Sequence, residues 1–272
     1  AVVLEQGING DMITLYDKST HFQLVWTHQI PATMDGKAMH NVQNAMFAAA
    51  LAFSLGKSLD DIRHGLRSFN STIFQAPGRM NVFDEHPFRV ILDYGHNAAA
   101  IHSICQLVQR LEVSGQRICV LAAPGDRRDE DIRAIADEAS GFFDRYICRA
   151  DDRRRGRGED EVPRMLREQL IANGIAADRI DMIPDEVKSV ATALNMADEG
   201  DLVVIFADDV RRSWNQVINF EGDSTDGESS ETGKPALSFV EPDPEAFSLE
   251  PGARLVRDER GVRLARDEEE SD

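Results

Sequence analysis

The chain has 272 residues, 42% hydrophobic and 29% charged, which is enough to bury the core of one large or two small domains. It contains no apolar run that could span a bilayer and no secretory signal pattern, so we predict a cytoplasmic protein without a membrane partner. Its net charge of −18 argues against a nucleic-acid partner, because phosphate binding needs clustered cations.

The first 69 residues predict strands followed by two helices. Residues 1–31 alternate apolar and polar positions around two turn-forming segments, which is typical of a strand hairpin or meander. Residues 41–56 then have apolar positions at the helical period, and Gly56 ends that pattern. Ser58 is a favourable N-cap for a second helix that reaches Phe69.

From residue 80 onward, short apolar strands alternate with amphipathic helices. The strand sequences are RMNVFDE, FRVILDY, RICVLAA, DRYICRA, RIDMIPD and DLVVIFA. This alternation predicts an α/β fold made of right-handed β-α-β units, with a parallel sheet covered by helices on both faces.

The composition changes at Glu221. Residues 221–272 contain 16 acidic and 6 basic side chains and are rich in Ser, Gly and Pro, so we predict an acidic, mostly disordered tail. Residues 253–266 are an exception, because they alternate around a turn-like RDERG and suggest a short hairpin.

Cysteines and histidines do not form a metal-ligand pattern. Cys105, Cys119 and Cys148 lie far apart in predicted helices or strands, which favours free buried thiols in a reducing compartment. We assign no metal ligand in this chain.

Three short motifs occur in a defined order: HNVQNA at 40–45, PGR at 77–79 and LDYGHN at 92–97. In this order and spacing they resemble the junction between the central and C-terminal domains of the Mur ligase superfamily, whose members are ATP-dependent amide ligases. Together with PGDRRDED and RSWNQVI, the longer runs around them resemble the C-terminal half of the cyanophycin synthetase family. Those enzymes build a poly-aspartate backbone and attach arginine to its side chains. The resemblance covers roughly residues 1–220.

The resemblance implies an architecture and a reaction. It implies a Mur ligase C-terminal, Rossmann-like domain at 75–220, preceded at 1–74 by the remnant of a central ATP-binding domain. ATP and Mg²⁺ would be the cofactors, and L-arginine and a poly-aspartate or cyanophycin chain the partners of a homo-oligomeric full-length protein. The chain contains no G-x-x-x-x-G-K-[ST] phosphate loop, so most Mg²⁺ ligands are expected outside it and the chain alone is expected to be inactive. We assign no catalytic residue.

The HNVQN segment is the first candidate nucleotide site. A helix start offers free N–H groups, and carboxamides can bind the edge of a base. The resemblance implies that Asn44 lies beside the adenine, with His40 and Asn41 as neighbours. The alternative is that Asn41 caps the helix and Asn44 faces solvent.

Three further residues complete the candidate nucleotide site. Arg79 lies at the domain junction, and its planar fork of donors suits a phosphate. Asp93 and His96 follow an apolar strand, at the sheet edge where ligands of open α/β sheets bind. The resemblance implies that Arg79 binds the ATP phosphates and that Asp93 accepts from the ribose hydroxyls. It also implies that His96 lies near the nucleotide or product phosphate. The alternatives are an interdomain salt bridge for Arg79 and a capping role for Asp93 and Asn97 at the start of the following helix.

The loops at 124–131 and 149–160 each follow a strand of the predicted sheet. In Mur ligases that add a diamino acid, the loops at these places bind the incoming amino acid. The matching residues here are Asp126, Arg127, Asp151, Asp152 and Arg154. A guanidinium pairs well with a carboxylate, and an α-carboxylate with an arginine. The family's Asn and Pro are replaced by Asp152 and Arg153, and the loops could also be solvated helix starts.

Asp208 and Asp209 follow the last strand, in ADDVRRSW at 207–214. Diamino-acid ligases carry G-K-G-H-E there, so the two acids are further candidates for binding a guanidinium. The alternative is that they are ordinary acids at a helix start.

Three other functions remain open. The chain could be a non-catalytic substrate-binding or assembly module, or part of another Mur-type ligase of the folate or peptidoglycan kind. It could also belong to a variant synthetase that joins preformed dipeptides and whose ligase half is degenerate. The loops at 126–131, 151–154 and 207–214 distinguish these cases, and the three intact motifs argue against the degenerate variant.

Overall fold

The N-terminal region begins with a three-stranded antiparallel sheet, as the sequence predicts. The computed structural model describes residues 1–221, 253–258 and 261–266. The first strands are β1 (Val2–Gly7), β2 (Gly10–Asp17) and β3 (Thr20–Trp26), which pair in that order. Tight turns join them, so the alternating pattern of the sequence is a meander.

Two helices cover this sheet. After short 3-10 turns at Thr27–Gln29 and Pro31–Thr33 come α1 (Met39–Ser54) and α2 (Leu59–Ser68). Ser58 caps α2 as predicted, because its hydroxyl accepts from the N–H of Asp61 at 3.1 Å. Apolar side chains of β2, β3, α1 and α2 form one buried cluster.

A six-stranded sheet forms the larger part of the molecule. Its strands are β4 (Asn81–Phe83), β5 (Arg89–Asp93), β6 (Arg117–Leu121), β7 (Arg145–Cys148), β8 (Ile180–Met182) and β9 (Leu202–Phe206), in the order β4-β5-β9-β6-β7-β8. Five strands are parallel, but β4 is antiparallel to β5, so the prediction of a purely parallel sheet is wrong at this edge. Residues 84–88 are too short a link for the crossover that parallel strands require.

Helices cover both faces of the six-stranded sheet. They are α3 (Ala98–Arg110), α4 (Asp129–Ala139), α5 (Glu161–Ala172), α6 (Glu186–Met196) and α7 (Val210–Ile218), with a 3-10 turn at Ala177–Arg179. Leu202, Val204 and Phe206 of β9 pack in one core with α3, α4 and α5. The alternate residues Val203 and Ile205 are also buried and therefore face the opposite side, where α6 contacts the sheet. The α/β, Rossmann-like architecture is confirmed.

The three cysteines are buried in this sheet core, and burial raises the pKa values of their thiols. Among the described residues, 1–221 belong to one compact unit and the hairpin at 253–266 to another, so the predicted boundary between residues 74 and 75 falls within the first unit. That boundary stays a prediction.

The predicted hairpin near the C-terminus is confirmed. β10 (Ala253–Asp258) pairs antiparallel with β11 (Gly261–Arg266). The rest of the predicted disordered tail, at 222–252, 259–260 and 267–272, lies outside the described residues. Within the described ranges, no helix has the length and apolarity needed to cross a membrane.

Candidate functional site

A cavity of about 1090 Å³ lies among α1, α2, α3 and residues 71–80. We call it the helix cavity. Most of its lining is apolar, and its polar lining residues are His40, Asn41, Asn44, Lys57, Asp61, Ser71, Arg79, Asp93 and Ser103. Five of the six predicted nucleotide-binding residues therefore share one cavity, and His96 is the exception.

The structure does not match the alternative in which Asn41 caps α1. Ala38 is the N-cap residue and gives no side-chain cap, whereas Asn41 lies inside the helix. The Asn41 amide nitrogen donates to the carbonyl of Ala32 at 2.7 Å, and its oxygen accepts from the Asn44 amide at 3.1 Å. This pair orients the exposed Asn44 carboxamide along the cavity wall, with its oxygen available to a ligand.

His40 carries an unsatisfied polar atom at the same cavity. Its Nδ1 is buried and has no hydrogen-bond partner within residues 1–221. Burial lowers the pKa of His40, so the imidazole is neutral at pH 7. A buried polar nitrogen without a partner is costly, and a polar ligand such as a purine base would satisfy it.

Arg79 projects from a tight turn at the cavity mouth. Gly78 has φ +72°, and its N–H donates to Asn81 Oδ1 at 2.7 Å. Arg79 is exposed and makes no ion pair within the described part of the chain, so the structure gives no support to the salt-bridge alternative. Its charge acts on Asp93, and its exposed guanidinium is also accessible to an anion.

Asp93 ends β5 beside this turn. Its Oδ2 accepts from the N–H of Met80 at 2.8 Å, and it is Asn97 that caps α3, so the capping alternative for Asp93 is wrong. Burial raises the pKa of Asp93, against the opposing effects of backbone N–H donors and of Arg79 and His96.

A second cavity of about 140 Å³ opens at the carboxyl ends of the parallel strands. We call it the edge cavity. Its charged or titratable lining residues are Tyr94, His96, Arg127, Arg149, Asp151, Arg155 and Asp208. The structure thus brings together one predicted nucleotide residue and three of the predicted amino-acid-binding residues.

The floor of the edge cavity is a buried arginine that sequence reasoning missed. The side chain of Arg149 is 1% exposed, and that of Glu186 beside it is 0% exposed. Arg149 Nη2 lies 2.9 Å from Glu186 Oε1 and donates to the carbonyl of Phe206 at 2.7 Å. Its Nη1 donates to the carbonyl of Ala150 at 2.8 Å and lies 3.4 Å from Asp151 Oδ1.

Asp151 is the most perturbed carboxyl of the edge cavity. Burial raises its pKa to about 6, and Asp208 and Glu186 act in the same direction. Arg149 and Arg155 oppose them. Burial dominates because the cavity removes the carboxylate from water without a short ion pair to replace that solvation.

The other predicted amino-acid-binding residues have partners elsewhere. Asp126 forms an ion pair with Arg155, Asp152 one of 2.8 Å with Arg212, and Arg154 one of 3.1 Å with Glu159. Asp209 caps α7 by accepting from the N–H of Arg212 at 3.0 Å, which matches the helix-start alternative. None of these four predicted residues lines the edge cavity.

The two predicted amino-acid loops are joined by Arg157. Its guanidinium donates to the carbonyls of Gly125 and Arg127, each at 2.8 Å, and lies 2.8 Å from Asp129. A Cβ at Gly125 would collide with the carbonyl oxygen of Arg154. The loops at 124–131 and 149–160 therefore act as one packed unit.

One segment connects the two cavities. Asp93 lines the helix cavity, whereas Tyr94, Gly95 and His96 line the edge cavity. Ligands in the two cavities would therefore lie on either side of residues 93–96. No group of histidine, cysteine, aspartate and glutamate side chains in the described ranges could hold a metal ion.

Arg149, Glu186 and Arg212 were not among the predicted site residues, although Arg149 begins the 149–160 loop and Arg212 begins RSWNQVI. Arg149 follows an apolar strand and Glu186 begins a helix, where an acid is ordinary. The sequence offered only their positions: Arg149 follows β7, Glu186 begins α6, and Arg212 lies in the first turn of α7.

Comparison with known proteins identifies the family. Residues 78–208 match the Mur ligase, glutamate ligase domain. The cyanophycin synthetase of Geminocystis herdmanii is 36% identical over 224 residues, covering 81% of this chain and 24% of that protein. The cyanophycin synthetase of Nostoc sp. is 39% identical over 198 residues, covering 69% and 21%.

A solved structure shows the same fold. Mycobacterium tuberculosis folylpolyglutamate synthase complexed with ADP superposes with a TM-score of 0.60 at 16% identity, covering 81% of this chain and 47% of that one. The chain spans roughly a fifth to a quarter of the length of the two cyanophycin synthetases. The chain belongs to the Mur ligase superfamily, with a Mur ligase C-terminal domain, and resembles cyanophycin synthetases.

Proposed function

We propose that the chain is the C-terminal portion of an ATP-dependent amide ligase that adds L-arginine to the aspartate side chains of cyanophycin. The observation that carries this proposal is the pair of cavities that meet at residues 93–96. One cavity has unsatisfied groups suited to a nucleotide, and the other has carboxylates suited to a cation. The similarity to cyanophycin synthetases supports the arginine assignment.

The residues of the helix cavity fit a nucleotide. Asn44 and the unpartnered Nδ1 of His40 would bind the base, and Asp93 the ribose hydroxyls. Arg79 would bind phosphate oxygens, since its exposed guanidinium lines the cavity and makes no ion pair in residues 1–221, although its charge acts on Asp93. ATP supplies the phosphoryl group that activates the acceptor carboxylate. The protein's part is to position the two substrates and neutralise charge.

The edge cavity fits the incoming amino acid. Asp151 and Asp208 line it and would bind the guanidinium, whereas Asp152 and Asp209 are occupied elsewhere. Arg127 also lines it and makes no ion pair within residues 1–221, so it would bind the α-carboxylate. The α-amine would then point toward His96 and the helix cavity, where the activated carboxylate lies.

The chain by itself is expected to be inactive. It lacks a phosphate loop, and its described residues offer no cluster of metal ligands for the Mg²⁺ of the reaction. Purified chain incubated with ATP, Mg²⁺, arginine and primer should release no phosphate above background. Arginine-dependent phosphate release would contradict this part of the proposal. The homo-oligomeric state and cytoplasmic location remain predictions.

Amino-acid choice tests the full proposal in the longer ligase. Asp151→Asn and Asp208→Asn should each reduce the preference for arginine over citrulline, because each removes a carboxylate from the cavity. Asp152→Asn is the matched control, since Asp152 pairs with Arg212 outside the cavity lining. Lysine serves as a second cationic substrate. Wild-type selectivity in both cavity variants would show that the guanidinium binds elsewhere.

A non-catalytic substrate-binding or assembly module is the second candidate. The missing phosphate loop favours it. It predicts arginine binding by calorimetry and no turnover even when the chain is joined to the remaining part of a synthetase.

A further inference from the structure

Glu186 is a buried carboxylate that lies beneath the edge cavity without lining it. Its Oε1 accepts from the backbone N–H of Asp208 at 2.6 Å, and its Oε2 accepts from that of Asp209 at 3.2 Å. Arg149 and Arg212 complete its set of donors. One side chain therefore holds the peptide after β9 and two guanidinium groups.

Arg149 lies between the carboxylates of Glu186 and Asp151 and is closer to that of Glu186. Its Nη2 is 2.9 Å from Glu186, whereas its Nη1 is 3.4 Å from Asp151, which is a longer and weaker contact. Hydrogen bonds to the carbonyls of Ala150 and Phe206 fix this orientation. The positive charge of Arg149 is therefore compensated mainly by Glu186.

This arrangement determines how strongly the Asp151 carboxylate can attract a cationic ligand. Without Glu186, Asp151 would be the nearest carboxylate to a fully buried guanidinium and would compensate it. A carboxylate that already compensates a buried arginine has less attraction for a second cation. With Glu186 in place, Asp151 keeps its capacity to bind a ligand.

We propose that Glu186 is the positioning residue of the edge cavity: it compensates Arg149 and so leaves Asp151 available to a cationic group of the substrate. The link to substrate rests on the proposed function, whereas the link between Glu186 and Asp151 does not. Glu186 also holds the backbone at 208–209, whereas the Asp208 carboxylate accepts from the backbone N–H of Asp152 at 3.2 Å.

The titration of Asp151 in the 272-residue chain tests the first link without any substrate. The charged or titratable groups around Asp151 are Arg149, Arg155, Asp208 and Glu186 and, elsewhere in the cavity lining, Tyr94, His96 and Arg127. Glu186→Gln removes one negative charge and keeps the side-chain shape. The pKa of Asp151 should then fall by on the order of one unit, measured by carbon NMR of its carboxyl.

Glu159→Gln is the matched control. Glu159 pairs with the exposed Arg154, and its loss should leave the pKa of Asp151 unchanged. Arg212→Gln covers the case in which Glu186→Gln does not fold, since the Arg212 side chain is 34% exposed. It frees Glu186 to compensate Arg149 more fully, so the pKa of Asp151 should rise. An unchanged Asp151 pKa in Glu186→Gln, or a fall in Arg212→Gln, would overturn the proposal.

Kinetics in the longer ligase test the second link. Glu186→Gln should raise KM for arginine about tenfold, leave kcat nearly unchanged, and leave KM for citrulline at its wild-type value. If the pKa of Asp151 shifts and the KM for arginine does not, the positioning role stands and the assignment of arginine to this cavity is overturned. A fall in kcat with unchanged KM would contradict a positioning role.

Discussion

The two cavities differ in how the protein satisfies their polar groups. In the helix cavity, Arg79 makes no ion pair within residues 1–221, and His40 has a buried nitrogen without a partner. In the edge cavity, Arg149 and Arg155 are each paired with a carboxylate of the protein, although Arg149 Nε has no hydrogen-bond partner in residues 1–221 and Arg127 makes no ion pair there. A polar group left without a partner costs stability unless a ligand supplies one.

This difference separates two ways of building a site. The helix cavity leaves donors and acceptors open, and its mostly apolar walls suit a flat base. The edge cavity uses a network of charges to leave a small number of carboxylates accessible. Substitutions in the first should affect ligand binding, and substitutions beneath the second should affect folding as well.

The largest expected effect is on the free energy of unfolding, when the buried ion pair between Arg149 and Glu186 is broken. Glu186→Ala leaves the buried Arg149 without its main partner and should lower the free energy of unfolding by about 3–5 kcal/mol. Glu159→Ala breaks an exposed pair and should cost about 0–1 kcal/mol. Urea unfolding of both variants measures the difference. Equal losses would mean that burial does not distinguish the two ion pairs.

The helix cavity should respond in binding and not in stability. Arg79→Ala in the longer ligase removes a charge-assisted phosphate contact worth about 1.5–3 kcal/mol, or roughly tenfold to a hundredfold in kcat/KM for ATP. Arg67→Ala is the control, because Arg67 is exposed on α2 and does not line the cavity. An unchanged rate at limiting ATP would assign Arg79 a structural role.

The pH dependence of stability distinguishes two aspartates of the edge region. The pKa of Asp151 is raised to about 6, so its contribution to stability is present below pH 4 and is lost as the pH rises through 6. Relative to Asp151→Asn, the wild type should lose about 2 kcal/mol between pH 4 and 7. Unfolding in urea across this range measures the change.

Asp126 is the control with the opposite sign. Its ion pair with Arg155 holds its pKa below the ordinary value, so its contribution is present above that value and lost as the pH falls. The same trend in Asp126→Asn and Asp151→Asn would contradict the assignment of one aspartate to the cavity and the other to an ion pair.

The smallest expected effect concerns Asp209. Asp209→Ala removes the α7 cap and should lower the free energy of unfolding by about 1 kcal/mol. Selectivity for arginine should remain at the wild-type level, because Asp209 does not line the edge cavity. Loss of selectivity together with wild-type stability would place Asp209 among the binding residues instead.

Local patterns in the sequence predicted most of the fold. The helical period of Val42, Ala45 and Ala49 appears as the buried face of α1, and Ser58 caps α2 as expected. The antiparallel β4 was not predicted, because apolar strand patterns do not show strand direction. Only the short link at 84–88 carried that information.

The site was predicted less completely than the fold. The motifs predicted that Asn44, Arg79 and Asp93 belong to one nucleotide site, and the three residues line one cavity, but their role in nucleotide binding stays a prediction. The neighbouring acids Asp151 and Asp152 could not be told apart by sequence. Adjacent residues point in different directions, so Asp151 faces the buried Arg149 and Asp152 pairs with the half-buried Arg212.

The joined loops have a consequence for engineering this ligase domain. Arg157 bonds to the backbone of the first loop, and Gly125 leaves space for the backbone of the second. Transplanting either loop alone from a relative with another amino-acid preference would lose these contacts. A specificity graft should therefore exchange residues 124–131 and 149–160 as one cassette, with Gly125 and Arg157 retained inside it.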